Sequence, residues 1–240
     1  MRDIFAALAR AAHNLFEPRI LAIVLLPMVG SILLWTVLAW MFWDPWTGGI
    51  AGVMSGTAVA GWLMQWGAGW VINPTAVLLV LIGIVPAIYV TALVITEIIA
   101  MPMIVRFIGE RYYPGLRREA GGTLTGSVLN AVTGIVVFAV LWILTLPLWL
   151  TGVGAVLGPV LTSAYLSQRM FRYDALAEHA SVEEFRRIRR DSRGDLFLLG
   201  IALSLLFYVP LVNLLVPVLS GLAFTHFCLG RLERVRYVIT

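Results

Sequence analysis

The chain has 240 residues, of which 60% are hydrophobic and only 12% are charged. Soluble domains carry about 25% charged residues, so this composition excludes an ordinary soluble globular protein and predicts a polytopic membrane protein. The formal net charge is +4, and the single cysteine, Cys228, excludes an internal disulfide.

The basic residues are all arginines, and they are confined to four blocks, which are 1–19, 106–119, 169–193 and 231–236. Short loops rich in basic residues stay on the cytoplasmic side of a membrane. We therefore expect the four blocks to share that side, with both termini in the cytoplasm. The same charges favour contact with anionic lipid head groups, and no nucleic acid is expected as a partner.

The first elements in chain order are an interfacial helix and a transmembrane helix. Residues 1–17 have an amphipathic pattern with Ile4, Phe5 and Phe16 on its apolar side, which predicts a helix lying in the membrane interface, and Pro18 ends it. Residues 20–43 carry no charge and would span ~36 Å as a helix, enough to cross a bilayer. Residues 44–74 contain no basic residue and are rich in glycine and tryptophan, which predicts a periplasmic segment with an aromatic belt.

A second transmembrane helix is predicted over 75–105, and it contains an acidic residue, Glu97. A carboxylate inside a span costs several kcal/mol unless it is paired or hydrated. Three interpretations follow from this cost. In one, Glu97 forms a structural ion pair with an arginine near the cytoplasmic side, such as Arg106. In another, it lies in a conduit or couples transport to protons. In the third, it lies at the membrane interface.

The next segment, 123–167, carries no charge and lies between two arginine blocks. It is long enough for two thin spans, but the prolines and glycines of 146–159 favour a broad turn between shorter arms. We therefore predict a helical hairpin that penetrates the membrane partly. Residues 168–195 predict a cytoplasmic helix, because Ser181 and Glu184 form a capping-box pattern at its start. We interpret its charged residues as a solvated face.

The last apolar segment, 196–230, is too long for one span and too short for two spans with a turn. It therefore predicts a second partly penetrating hairpin, which turns near Pro210 to Asn213. The predicted fold is an all-α integral membrane protein that forms a single membrane domain over 1–240. It has two long transmembrane helices, two hairpins, an amphipathic N-terminal helix and a short cytoplasmic helix.

Nothing in the sequence predicts an enzyme, a catalytic site, a metal site or a cofactor, since the three histidines do not have metal-ligand spacing. Anion binding does have a physical basis, because a hairpin within the membrane exposes a helix N-terminus to an anion. The candidate residues are Asn213 on one hairpin and Thr151 with Gly152 on the other, although Asn213 could equally cap its own helix. Arg19 is a candidate anion contact, because a guanidinium forks onto oxyanions, or else an ordinary cytoplasmic anchor.

Several segments together resemble one known family. They are "PRILAIVLLPMV" (18–29), "RYYPGLRREAGG" (111–122), "LPLWL" (146–150), "RMFRYDALAEHAS" (169–181) followed by Glu183-Glu184, and "VPLVNLLVPVLSGLAFTHFCL" (209–229). They resemble the family of CysZ-type sulfate permeases and etoposide-induced-protein domains. The resemblance implies two long transmembrane helices with two partly penetrating hairpins, an oligomer, and a place in the bacterial inner membrane. One difference is that a single basic residue, Arg19, follows Pro18 where sulfate permeases of the family tend to carry adjacent basic residues.

Two hypotheses for the function follow. In the first, the protein is an inner-membrane permease for sulfate or a related inorganic oxyanion, built as a homo-oligomer in the lipid bilayer. In the second, it is a membrane scaffold or assembly protein of the same family that transports nothing.

Overall fold

The computed structural model describes residues 1–119 and 121–237, apart from a few side chains within helices. Those side chains are Val24, Leu93, Glu97, Ile98 and Leu124. All regular structure in these ranges is helical, which confirms the all-α class. The chain forms two compact units, one comprising Met1–Ala22 with Ile99–Thr240 and the other Ile23–Ile98. We call them the hairpin unit and the tryptophan unit and describe each by itself.

The tryptophan unit is built mainly from two long apolar helices. Helix α1 (Arg2–Leu15) precedes it, and α2 (Pro18–Ser55) has non-helical dihedral angles at Phe42. This break falls at the end of the span predicted over 20–43. Most of the glycine- and tryptophan-rich segment is itself helical, since α2 continues to Ser55 and α3 (Ala58–Gln65) follows it.

The second long helix of the tryptophan unit is α4 (Ile72–Ile95), which begins three residues earlier than the span predicted from 75. It does not end in a loop. A π-helical turn, Thr96–Ala100, leads directly into α5 (Met101–Tyr112), so the helical path continues through the predicted end at 105. Within the unit, the indole Nε1 of Trp35 donates a 3.0 Å hydrogen bond to Thr91 Oγ1 and ties α2 to α4.

Among the described residues, three helices are long and apolar enough to cross a membrane, namely Pro18–Ser55, Gly69–Ala92 and Thr125–Trp149. The third belongs to α6 (Leu124–Trp149), whose 26 residues correspond to ~39 Å. Pro147 lies within α6, and the other prolines and glycines of 146–159 follow it. The protein is thus a multi-pass membrane protein, and how far the hairpin of 123–167 penetrates the membrane stays a prediction.

The first hairpin consists of α6 and α7 (Val153–Ala177), joined by a turn at Leu150–Gly152. Gly152 makes this turn tight, because its φ of +73° is a conformation that L side chains rarely adopt. Thr151 Oγ1 donates to the carbonyl oxygen of Leu148 at 2.6 Å and accepts from the Gly154 N–H at 3.1 Å. Helix α7 then continues ten residues past the predicted end of the hairpin at 167.

The second hairpin consists of α9 (Arg193–Leu206) and α10 (Val216–Tyr237). The chain turns between these helices, and the turn contains Pro210, Leu211 with a φ of +67°, and a short 3₁₀ helix, Val212–Leu214. The turn therefore includes Pro210 and Asn213, which bound the predicted hairpin tip. Every residue from Val218 to Leu229 is buried, so α10 forms the core of the hairpin unit.

Helices α7 and α9 approach α10 and each other closely. Phe224 of α10 stacks on Phe171 of α7 with ring centroids 5.8 Å apart. Where α9 crosses α7, a Cβ on Gly200 would lie 2.7 Å from the backbone oxygen of Ala164. Only glycine fits at that position without moving one of the helices.

Helix α1 packs against α10, and the face that it buries differs from the predicted one. The amphipathic pattern places Phe5 and Phe16 with Ile4, yet both phenylalanines are exposed while Ala7 and Ala11 are buried. Small residues at the contact let the two helix backbones come close. At its start, the Asp3 carboxylate accepts hydrogen bonds from both terminal nitrogens of Arg234 at 2.8 Å and lies 3.0 Å from Arg231 Nη2.

Helix α8 (Val182–Asp191) begins with the predicted capping box: Ser181 Oγ accepts from the Glu184 N–H, and the Glu184 carboxylate accepts from the Ser181 N–H. The same carboxylate accepts hydrogen bonds from Arg236 Nε at 2.8 Å and Nη2 at 2.9 Å. Arg236 Nη2 also donates to the carbonyl oxygen of His179. The end of α10 thus holds the start of α8 in place.

Candidate anion-binding cavity

The hairpin unit contains an open cavity of about 750 Å³ between α7, α8 and the start of α9. All seven arginines of the block 169–193 line it, together with a single acidic residue, Glu183. We call it the arginine cavity. A concave surface with this excess of guanidinium groups attracts anions.

Helix α7 supplies one wall of the arginine cavity through Tyr165, Gln168, Arg169 and Arg172. Their spacing of three, four and seven residues places all four side chains on one helix face. Arg169 Nη1 donates to the Tyr165 hydroxyl at 3.1 Å, and its Nε donates to Asn130 Oδ1 on α6 at 3.1 Å. These bonds fix the Arg169 guanidinium before any ligand arrives.

Arg172 is the deepest charge of the cavity, with only 7% of its surface exposed. Its Nη1 donates to Gln168 Oε1 at 2.8 Å, and its guanidinium carbon lies 5.9 Å from the centroid of the Phe185 ring. Its Nε is buried without a hydrogen-bond acceptor among the described residues. A buried donor without an acceptor costs free energy, so the environment of Arg172 is strained by its burial.

The opposite wall comes from α8, which contributes Glu183 and four arginines, and from Arg193 at the start of α9. The four arginines are Arg186, Arg187, Arg189 and Arg190. They are exposed, whereas Ile188 between them is buried and anchors the helix. Asp191 lies 3.1 Å from Arg190 Nε and 3.8 Å from Arg187 Nε, so this wall is partly neutralised by one carboxylate.

The electrostatics of the cavity favour an anion that carries more than one charge. Burial, with the positive charges of Arg189 and Arg169, lowers the pKa of Arg172 to about 10. The guanidinium nevertheless stays charged at neutral pH. Guanidinium groups bind carboxylate, sulfate and phosphate oxygens through paired N–H donors. The chemistry available here is therefore binding of oxyanions, and the described residues contain no cluster of metal-ligating side chains.

Comparison with known families identifies the chain. The family described as Sulfate transporter CysZ/Etoposide-induced protein 2.4 matches residues 7–217. The chain belongs to this family. No curated protein and no solved structure matches it. The region that the CysZ/etoposide-induced-protein family matches includes every arginine of the cavity and ends at the start of α10. The description of the family names a sulfate transporter and no enzyme.

The candidate residues predicted from the sequence of this CysZ/etoposide-induced-protein chain do not line the arginine cavity. Arg19 is exposed in the first turn of α2, and Arg106 is exposed on α5. Thr151 and Gly152 form the turn between α6 and α7, while Asn213 lies in the 3₁₀ helix at the tip of the second hairpin. The side chain of Glu97 lies outside the described part of the chain, so its pairing with Arg106 stays a prediction.

One of the two predicted helix N-termini is already capped. At the start of α7, the N–H of Val153 donates to the carbonyl oxygen of Thr151, and that of Ala155 to the carbonyl oxygen of Gly152. Gly154 donates to the Thr151 hydroxyl. An anion at this end of α7 would have to displace these bonds. The start of α10, near Asn213, is the better candidate of the two.

The charged residues of 168–195 were interpreted from the sequence as a solvated face. The α8 arginines are indeed exposed, but together with Arg169 and Arg172 they line a cavity that the sequence did not predict. The extension of α7 to Ala177 brings Arg169 and Arg172 opposite α8. The signal that could have revealed the site is the polar face of 165, 168, 169 and 172, which has helical spacing.

Proposed function

We propose that the protein is a permease for sulfate or a related inorganic oxyanion. The observation that carries the proposal is the arginine cavity in a multi-pass membrane protein of this family. A cavity lined by charge of one sign raises the local concentration of counter-ions and can increase their rate of arrival by a factor of about 10 to 1,000. An anion permease needs such an attraction at one mouth of its path.

The path through the membrane is part of the same proposal. We assign Asn213 and the start of α10 to it, because broken helices in transporters point their N-termini at anionic substrates. Arg19 is the proposed contact outside the hairpins, with Thr151 and Gly152 as secondary candidates. Glu97 is proposed to line the conduit or to pair with Arg106, since an unpaired carboxylate would repel an anion.

The cellular setting follows from charge and family. The arginine blocks favour a cytoplasmic location for both termini and for the arginine cavity. We propose a bacterial inner membrane and a homo-oligomer, in which neighbouring copies cover the apolar helices that the hairpin unit leaves exposed. The lipid bilayer covers the remainder.

Uptake of labelled sulfate into proteoliposomes tests the proposal. We expect uptake above that of empty vesicles, and a several-fold decrease in Arg19→Gln with little change in Arg2→Gln, a matched substitution on the exposed face of α1. Competition by unlabelled oxyanions would rank the substrates. If neither sulfate nor any other inorganic oxyanion enters faster than in empty vesicles, the permease proposal is wrong and the scaffold hypothesis is favoured.

A further inference from the structure

The arginine cavity is built more specifically than the attraction of a small anion requires. Its deepest guanidinium, Arg172, is buried and has a donor without an acceptor among the described residues. Its neighbour Arg169 is already oriented by Tyr165 and Asn130. Ordering charged side chains before binding reduces the entropy that a ligand must overcome. These are properties of a stoichiometric binding site.

The size of the cavity also exceeds the size of a sulfate ion. Pockets of about 300–1,000 Å³ hold ligands of drug size, and the arginine cavity measures about 750 Å³. One sulfate, with a single tetrahedral centre and two charges, would fill a small part of that volume. Seven arginines against one lining glutamate would remain far from neutral around it.

The guanidinium groups lie on two walls. Arg169 and Arg172 stand on α7, and the exposed arginines stand on α8 and at the start of α9. A ligand that satisfies both walls needs two anionic groups joined by a short linker. Glu183, on the α8 wall, repels such a ligand. The four arginines that follow it on the same helix outweigh its charge.

We propose that the arginine cavity binds an anion with at least two phosphate groups, one held by Arg169 and Arg172 and the other by the arginines of α8. Two sources have this chemistry, namely a free diphosphate or nucleotide and the two-phosphate head group of a lipid such as cardiolipin. The binding stands independently of transport. If the protein is also the permease proposed above, a bound diphosphate neutralises the cavity and lowers oxyanion uptake.

Calorimetric titration of the full-length protein in phosphatidylcholine nanodiscs tests the binding. We expect pyrophosphate to bind at least about tenfold more tightly than phosphate or sulfate, because a second charged hydrogen-bonding group is engaged. Arg172→Gln should weaken pyrophosphate binding by at least that factor. Arg189→Gln should do the same, and since Arg189 is exposed, this variant tests the site without disturbing the core. Arg117→Gln, an exposed arginine outside the cavity, is the matched control and should bind like the unaltered protein.

The source of the phosphates is separated by a second set of nanodiscs that contain cardiolipin. Weaker pyrophosphate binding by the unaltered protein in these discs, with no difference between the two disc types in Arg189→Gln, assigns the site to the lipid. Unchanged binding, with ATP at least as tight as pyrophosphate, assigns it to a free ligand.

Equal affinity for pyrophosphate and sulfate would overturn the proposal. The cavity would then be interpreted as part of the transport path alone. Equal weakening by Arg117→Gln and Arg189→Gln would overturn the proposal as well, because binding would then follow net charge alone. Pyrophosphate binding without sulfate uptake would refute the permease and leave this inference standing. Sulfate uptake without selective pyrophosphate binding would do the reverse.

Discussion

Replacing Gly200 with alanine tests how tightly the two hairpins pack. The new Cβ would lie 2.7 Å from the backbone oxygen of Ala164 and 3.1 Å from its Cα. Both atoms belong to the backbone of α7, so no side-chain rotation can relieve the contact. Moving α9 outward would loosen Leu199 and Leu203, which are almost completely buried. Overpacking of this kind costs about 1–3 kcal/mol.

The matched control is Gly194→Ala on the same helix, where a Cβ meets nothing within 4 Å. Both substitutions gain up to about 1 kcal/mol of helix propensity. The difference in stability between the two variants therefore reports the contact of α9 with α7. One kcal/mol shifts the thermal midpoint by about 2–4 °C in a chain of this size. We therefore expect Gly200→Ala to unfold about 2–12 °C below Gly194→Ala.

The measurement is far-ultraviolet circular dichroism of the detergent-solubilised protein, heated at one fixed rate because large proteins often unfold irreversibly. Coincident midpoints for the two variants would refute the reasoning. They would mean that α9 and α7 can separate by several tenths of an ångström without loss of packing.

Three further substitutions can be followed by the same thermal scans. Burial raises the pKa of Asp174 to about 6, so ionisation of its carboxylate destabilises the fold increasingly from the ordinary value of 3.8 up to about 6, and by a constant amount above that. Asp174→Asn should therefore raise the midpoint at pH 7.5, and the gain should vanish below pH 3.8. Glu184→Gln should cost about 1–3 kcal/mol by weakening the bond to Arg236. Arg236 holds the pKa of Glu184 below its ordinary value, so the stability that the Glu184 carboxylate contributes should be lost as pH falls through this lowered pKa. In Glu184→Gln that loss should be absent, and a midpoint that falls with pH as it does in the unaltered protein would contradict this. Gly152→Ala should cost about 1–3 kcal/mol, because alanine is strained at a φ of +73°, whereas a neutral effect would mean that the turn relaxes.

The sequence carries most of the information about the helices. Long uncharged stretches between arginine blocks locate α2, α4 and the two hairpins, because a bilayer restricts charge so strongly. Helix ends are harder to predict. The prolines and glycines of 146–159 were expected to form a broad turn, but Pro147 lies within the last turns of α6 and Pro159 lies within α7. Helix α1 buries a face rotated towards Ala7 and Ala11, since close contact with α10 favours small residues over large apolar ones.

The candidate site depends on tertiary structure that local patterns do not contain. The sequence of a run of arginines is the same whether the side chains face water on all sides or line a cavity. What decides between these outcomes is the length of α7 and the way in which Arg236 holds the start of α8. Arg236 and Glu184, which bring this about, lie 52 positions apart along the chain, and one sequence does not reveal which of its charges will pair.

The ion pairs between Asp3 and the last turns of α10 have a topological consequence. They hold the start of α1 against the last turns of α10, so Asp3 and Arg234 lie on the same side of the membrane. Complete crossings between these two residues therefore come in an even number. Because three helices among the described residues have spanning length, either a further segment crosses or one of the three does not. Reporter proteins inserted beside Asp3 and beside Arg234 should therefore lie in the same compartment.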